Sequence, residues 1–179
     1  MRVEWQGARS WRGEQLGHGP SQVGPAGCVL FALVHLARTF TEARTLDPLA
    51  ANAQLRDISG AFVDKTGSHP GDLLVWDVAA RVFGLAVEPA ITGLPGSPAL
   101  HAALVAALRH GGAAVRVTVD GDDIGDHTIA AVNRVDGAII CADSALGGWV
   151  ELELPALMAP DVHWGPRHRP YRVVGVRAV

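Results

Sequence analysis

Three β-rich runs follow one another between residues 113 and 143: AAVRVTVD (113–120), HTIAAVNRV (127–135) and AIICAD (138–143). Val135, Asp136, Gly137 and Ala138 join the second run to the third. An Asp-Gly pair supplies the positive φ that a two-residue hairpin turn needs, so these runs are expected to pair as antiparallel neighbours. The tail adds a strand at 149–154, a short helix near 155–158 and a final strand, YRVVGVRAV. The preceding half of the chain has the other period. In residues 27–41, Val29, Leu30, Leu33, Val34, Leu36 and Ala37 fall at helical spacing with a buried face. Residues 47–54 read as a second, short helix. A third spans 70–83, with Leu73, Leu74, Val78 and Val82 on one side and Gly84 as its stop. A brief strand is expected at 85–89, a loop at TGLPGSP, and a helix over 98–110 closed by Gly111 and Gly112. Residues 1–26, rich in Gly, Pro and Ser, read as a short strand or two and a loop ending at Pro25. Helices before strands predict an α+β domain rather than alternating βαβ units.

Bulk properties narrow the function. A chain of 179 residues suits one domain with a sizeable core. Only 18% of residues are charged and the net charge is -3, which offers no electrostatic footprint for nucleic acid or an anionic membrane. The apolar runs are too short and interrupted to span a bilayer. Residues 1–20 have no continuous apolar stretch, so no secretory signal is read and the protein is expected in the cytoplasm as synthesised, with release by lysis or incorporation into a virion as further routes. Arg supplies every basic side chain except Lys65, a GC-rich coding bias of the kind seen in bacteria and their phages.

With no signal, Cys28 and Cys141 are expected as free thiols rather than a bridge. Cys28 stands where the Gly/Pro loop GPAG meets a strong helix. Unpaired N–H groups and the helix dipole there favour a thiolate. Of eight histidines, His101 and His110 lie on a polar-flanked helix and His163 and His168 in an Arg/Pro-rich loop; His35 lies on the Cys28 helix itself, two turns on. His127 differs. It opens a β run after the polar loop DGDDIGD, where an imidazole can be both fixed and accessible. Asp143 ends the strand paired with that of His127, near the same open end, and can hold the imidazole tautomer that faces the thiol. Gln22, six residues before Cys28, can help the Cys28 backbone N–H bind a developing oxyanion. No metal site is expected, since the cysteines are far apart in sequence and no His pair has the i, i+4 spacing of a helical zinc site. No cofactor is expected either, because the Gly-rich stretches lack the Lys-Ser/Thr of a phosphate loop.

The order Gln-x5-Cys at a helix start, then His at a strand start, then Asp one hairpin later, resembles the papain-like cysteine peptidases. It is most similar to their bacterial bacteriocin-processing branch, which cuts after a double glycine. GDLLVWDVAARVFGLAV, ALHAALVAALRHGGAAVRVTVD and DHTIAAVNRVDGAIICADSALGGWVEL resemble successive segments of that branch, so the likeness covers about residues 20–165. Ser144 stands where the branch has Pro, and Thr128 where it has an aromatic. The resemblance implies a single papain-like domain over 1–179, its nucleophile helix packed on a C-terminal antiparallel sheet. It also implies a thiol hydrolase acting on a peptide or isopeptide bond, peptidoglycan stem peptides among the expected substrates. Two other functions share the residue order: a scaffold serving as a binding or virion component without turnover, and a Cys-His-Asp acyltransferase or transglutaminase-like enzyme.

Overall fold

The computed structural model describes residues 3–119, 126–164 and 167–179, so residues 120–125 of the expected polar loop lie outside the described residues. The N-terminal part holds α1 (Val23–Ala26), α2 (Cys28–Phe40) and α3 (Pro48–Arg56), then the short strands β1 (Phe62–Val63) and β2 (Leu73–Leu74), which pair antiparallel. After these come α4 (Trp76–Val82), β3 (Ile91–Thr92) and α5 (Pro98–His110). The remainder is β4 (Ala113–Val119), β5 (Asp126–Val135), β6 (Ala138–Asp143), β7 (Gly148–Glu153), β8 (Met158–Ala159), β9 (His163–Trp164), β10 (Arg167–His168) and β11 (Tyr171–Ala178).

The predicted helices at 27–41, 47–54 and 98–110 form as α2, α3 and α5. Asp47 caps α3 by accepting from the N–H groups of Leu49 (2.8 Å) and Ala50 (3.2 Å), with Pro48 in the first turn. The Asp136-Gly137 turn also forms, with φ of 46° and 88°, and pairs Val135 with Ala138. Three local expectations are corrected. The helix expected over 70–83 starts only at Trp76; Leu73 and Leu74 pair with Val63 and Phe62 instead, and Leu73 is exposed. Asp72 accepts from the N–H of Ser21 at 3.0 Å, which ties this stretch to the N-terminal loop in extended form. The strand expected at 85–89 appears later, at Ile91–Thr92, where β11 offers a free edge. The short helix near 155–158 is a turn that leads into β8.

The fold class is corrected too. A papain-like α+β arrangement, with helices stacked on an open sheet, is not what forms. The sheet runs in the order β3-β11-β4-β5-β6-β7-β8, and β8 also pairs with β11, so six antiparallel strands close into a barrel. Closure rests on Tyr171 opposite Ala159 and Arg172 opposite Met158. The full length of β11 is paired with β4 along one edge, so β8 and β3 share its other edge, β8 at the start and β3 near the end. Irregular registers at Val173/Gly175 and at Ala131/Asn133 interrupt β11 and β5, as bending strands require. A closing strand of two residues leaves almost no periodic signal, which is why the sequence pattern could not announce the barrel.

Alternation along the strands makes two cores. Val115, Val117, Ile129, Ile139, Cys141 and Tyr171 belong to one cluster, with α5 packed against it through Leu100 and Leu104. Ala114, Ala130 and Ala142 belong to the other, under Leu30, Phe31, Leu33 and Val34 of α2. Small alanines on the strands let α2 sit close to β5, and each fully buried leucine of that helix contributes about 1.5–3 kcal/mol. The helix that carries Cys28 is thereby held rigidly against the strand that carries His127.

Candidate active site

Cys28 is the first residue of α2, and Gly27 caps it. A Cβ on Gly27 would stand 2.2 Å from the carbonyl oxygen of Val23, so only glycine permits the tight step from α1 into α2. Cys28 is partly exposed, whereas His127 and Asp143 are buried. His127, Ile129 and Ala131 fall on one face of β5, and Ile139, Cys141 and Asp143 on one face of β6. The β5–β6 ladder ends at the Ala130–Ala142 pair, so the ring of His127 reaches diagonally toward the end of β6.

The contact is direct. His127 donates from Nε2 to Oδ1 of Asp143 at 2.8 Å. That bond commits Nε2 and leaves Nδ1 as the nitrogen for the Cys28 thiol, which hydrogen-bonds the imidazole. Asp143 is otherwise saturated as an acceptor. The N–H groups of Ala145 (2.8 Å) and Leu146 (3.4 Å) donate to Oδ1, and the Tyr171 hydroxyl donates to Oδ2 at 2.6 Å. A fully buried carboxylate is tolerable only with such partners.

The electrostatics follow from these contacts. Burial alone pushes the Cys28 thiol up, but the His127 hydrogen bond and charge, with the backbone amides of Thr128 and Val29, outweigh it and hold the thiol below its ordinary value. For His127, burial disfavours the cation, yet Asp143 and Cys28 together raise it to about 9. Burial raises Asp143, but the bonds from His127, Tyr171 and Ala145 bring it below the usual carboxylate range. Together these favour a thiolate–imidazolium pair with a charged carboxylate behind it. Cys141 is the opposite case. Complete burial and the neighbouring Asp143 charge push its thiol far up, leaving an inert core residue.

The structure thus brings together Cys28, His127 and Asp143 of the four expected site residues. Gln22 is exposed at the N-cap of α1; its carbonyl accepts from the Ala26 N–H and its side chain makes no cap hydrogen bond. Of the other histidines, His101 is half-buried and His110 exposed; His163 and His168 are exposed on the paired strands β9 and β10 rather than in the expected loop, and His35 is fully buried within α2. Sequence reasoning missed Tyr171. Its one signal was being the only tyrosine of the chain, placed at the opening of the last strand. Ser144, where the resembling branch has Pro, bonds Gln6 twice: the Gln6 N–H donates to its carbonyl at 2.8 Å, and its hydroxyl donates to Gln6 Oε1 at 2.7 Å. The N-terminal segment thereby braces the turn that follows Asp143.

A cleft of about 230 Å³ opens beside the start of α2, lined in part by Val29, Trp76, Arg116, Thr128 and Arg177. Val29 and Thr128, the chain neighbours of Cys28 and His127, are among its walls. Comparison with protein-family models, with curated proteins and with solved structures gave no match, which leaves the geometry of Cys28, His127 and Asp143 as the ground for assigning a function.

Proposed function

We propose that this chain is a thiol hydrolase, a cysteine peptidase or amidase that cleaves a peptide or isopeptide bond, with peptidoglycan stem peptides a fitting substrate. The observation that carries the proposal is the continuous line from the partly exposed Cys28 through His127 to the buried, four-bonded Asp143. Only the nucleophile reaches solvent, and each group behind it is held in place by another.

In this mechanism the Cys28 thiolate attacks the carbonyl carbon, and the developing oxyanion is met by the Cys28 backbone N–H, with the exposed Gln22 side-chain amide as the second donor that mutation must test. The His127 imidazolium gives its proton to the leaving amine, so the C–N bond breaks and a thioester remains on Cys28. His127, now neutral, takes a proton from water, and the hydroxide formed displaces the thiolate to release the acid. Asp143 holds the imidazole orientation throughout. The residue order shared with the bacteriocin-processing peptidases supports this reaction class and bears on nothing about the fold. An assay of the purified chain on peptide and muropeptide substrates tests the proposal. Cys28→Ala is expected to fold and to lose all turnover; turnover equal to the parent protein, or no cleavage or thioester capture of any substrate by the parent, overturns it.

A further inference from the structure

We propose that Asp161, His163 and His168 form a binding site for a divalent transition ion of the zinc, nickel or copper class. Among the described residues they are a group of three side chains whose ligand atoms all lie within 4.8 Å of one another. The backbone explains why they meet. β9 and β10 form a separate two-stranded antiparallel ribbon in which His163 stands directly opposite His168. Directly opposed residues place their Cβ atoms about 4.5–5.5 Å apart on the same face. Asp161 precedes His163 by two residues, the spacing that returns an extended chain to the same face. The rings stand edge to face with centroids 5.2 Å apart, and His163 Nε2 is 2.9 Å from Asp161 Oδ1.

Donor chemistry and geometry both suit such an ion. Two imidazole nitrogens and one carboxylate oxygen favour zinc, nickel or copper over magnesium or calcium, which prefer all-oxygen shells. Around a tetrahedral zinc with bonds near 2.0–2.1 Å, ligand atoms stand about 3.3 Å apart. The carboxylate–imidazole separation is already close to that, and the remaining adjustment falls on exposed side chains that meet no core packing. The open coordination positions face solvent and would be filled by water. The i, i+4 rule that excludes helical His pairs does not detect a pair placed across two strands, so the sequence pattern could not show this site.

The ribbon also has a fixed base. Arg169 is buried, and its N–H donates to the Val162 carbonyl at 2.6 Å, just outside the His163–His168 pair. A bound ion would cross-link the ribbon above that bond, two residues before β11 begins. An ion held by the folded chain alone stabilises it by mass action.

The test uses the full chain carrying Cys28→Ser, which removes the accessible thiol as a competing ligand. Zinc or cobalt is titrated by calorimetry, and the thermal midpoint is followed with added metal. Binding of one ion, a higher midpoint, and a cobalt spectrum with no sulfur charge-transfer band are expected. His163→Ala and His168→Ala should each weaken binding at least about tenfold, since even outer-sphere partners of metal sites cost about 10–100-fold, and should cancel the midpoint rise. His69→Ala and His110→Ala, both exposed elsewhere, should change neither. No saturable binding in the Cys28→Ser chain, or binding that survives both His163→Ala and His168→Ala, overturns the proposal.

Discussion

The hydroxyl of Tyr171 donates to Oδ2 of Asp143 at 2.6 Å, tying the first residue of the strand that closes the barrel to the carboxylate that orients His127. Barrel closure and site geometry therefore depend on the same residue.

Tyr171→Phe keeps the buried ring and removes only this donor. Hydrogen bonds to charged groups are worth about 1.5–3 kcal/mol, and the carboxylate left behind loses one partner in a dry site. A loss of about 2 kcal/mol in denaturant-unfolding stability is expected. Turnover should fall while KM holds, because Asp143 and His127 lose a fixed position but the cleft is untouched. A variant as stable and as active as the parent would remove Tyr171 from both roles.

The two cysteines should differ sharply toward iodoacetamide. Cys28 is partly exposed and held toward the thiolate, whereas Cys141 is fully buried with its thiol pushed up. Native labelling at about pH 6, read by mass spectrometry, should modify Cys28 alone. The rate should fall on acidification as the Cys28 thiolate is protonated. The same pair sets a stability window. His127 is raised from its ordinary 6.5 to about 9, so its contribution is fully present below about pH 6.5 and is lost as pH rises through about 9. Cys28 offsets that loss, because its lowered thiol gives up in the folded chain a proton that the unfolded chain keeps, so stability measured from about pH 6.5 to 9 should stay nearly level in the parent; a decline worth a full proton there would show that Cys28 is not a thiolate in the folded chain.

Gln22→Ala isolates the oxyanion. An exposed loop amide without a cap hydrogen bond costs little when truncated, so the thermal midpoint should barely move. If the amide meets the oxyanion, turnover should drop roughly 10²-fold, about 2.7 kcal/mol, with KM little altered. Unchanged turnover would leave the backbone N–H of Cys28 as the donor there.

His35 predicts acid sensitivity of the fold. Burial holds it neutral and lowers it to about 4, with the Glu4 and Asp143 charges pulling it back up and Arg38 pushing it down. Its ring nitrogens have no hydrogen-bond partner, and Glu4 Oε2 is 3.7 Å away. Between about pH 6.5 and 4 the unfolded chain binds a proton that the folded chain refuses, so stability falls as pH falls. His35→Met should flatten that slope in urea unfolding at pH 7 and pH 5; an unchanged slope would assign the acid sensitivity elsewhere.

Local chemistry made much of the molecule legible from sequence. The 3.6-residue spacing from Val29 to Ala37, the Pro48 start after Asp47 and the Asp136-Gly137 turn each depend on neighbours in the chain, and each element forms where its pattern stands. The pairing of His127 with Asp143 was within reach for the same reason, since one tight hairpin relates their strands. Leu73 and Leu74 misled because an apolar pair fits either period, and only the partner strand at Phe62–Val63 decides between them. Tertiary structure alone decided what depends on distant residues. Two residues at Met158–Ala159 meet Tyr171 and Arg172 and turn an open sheet into a barrel; that contact also carries Tyr171 to Asp143, and the ribbon beside it sets His163 against His168. Such pairings are selected by the closure of the whole sheet, and no periodicity within the chain records them.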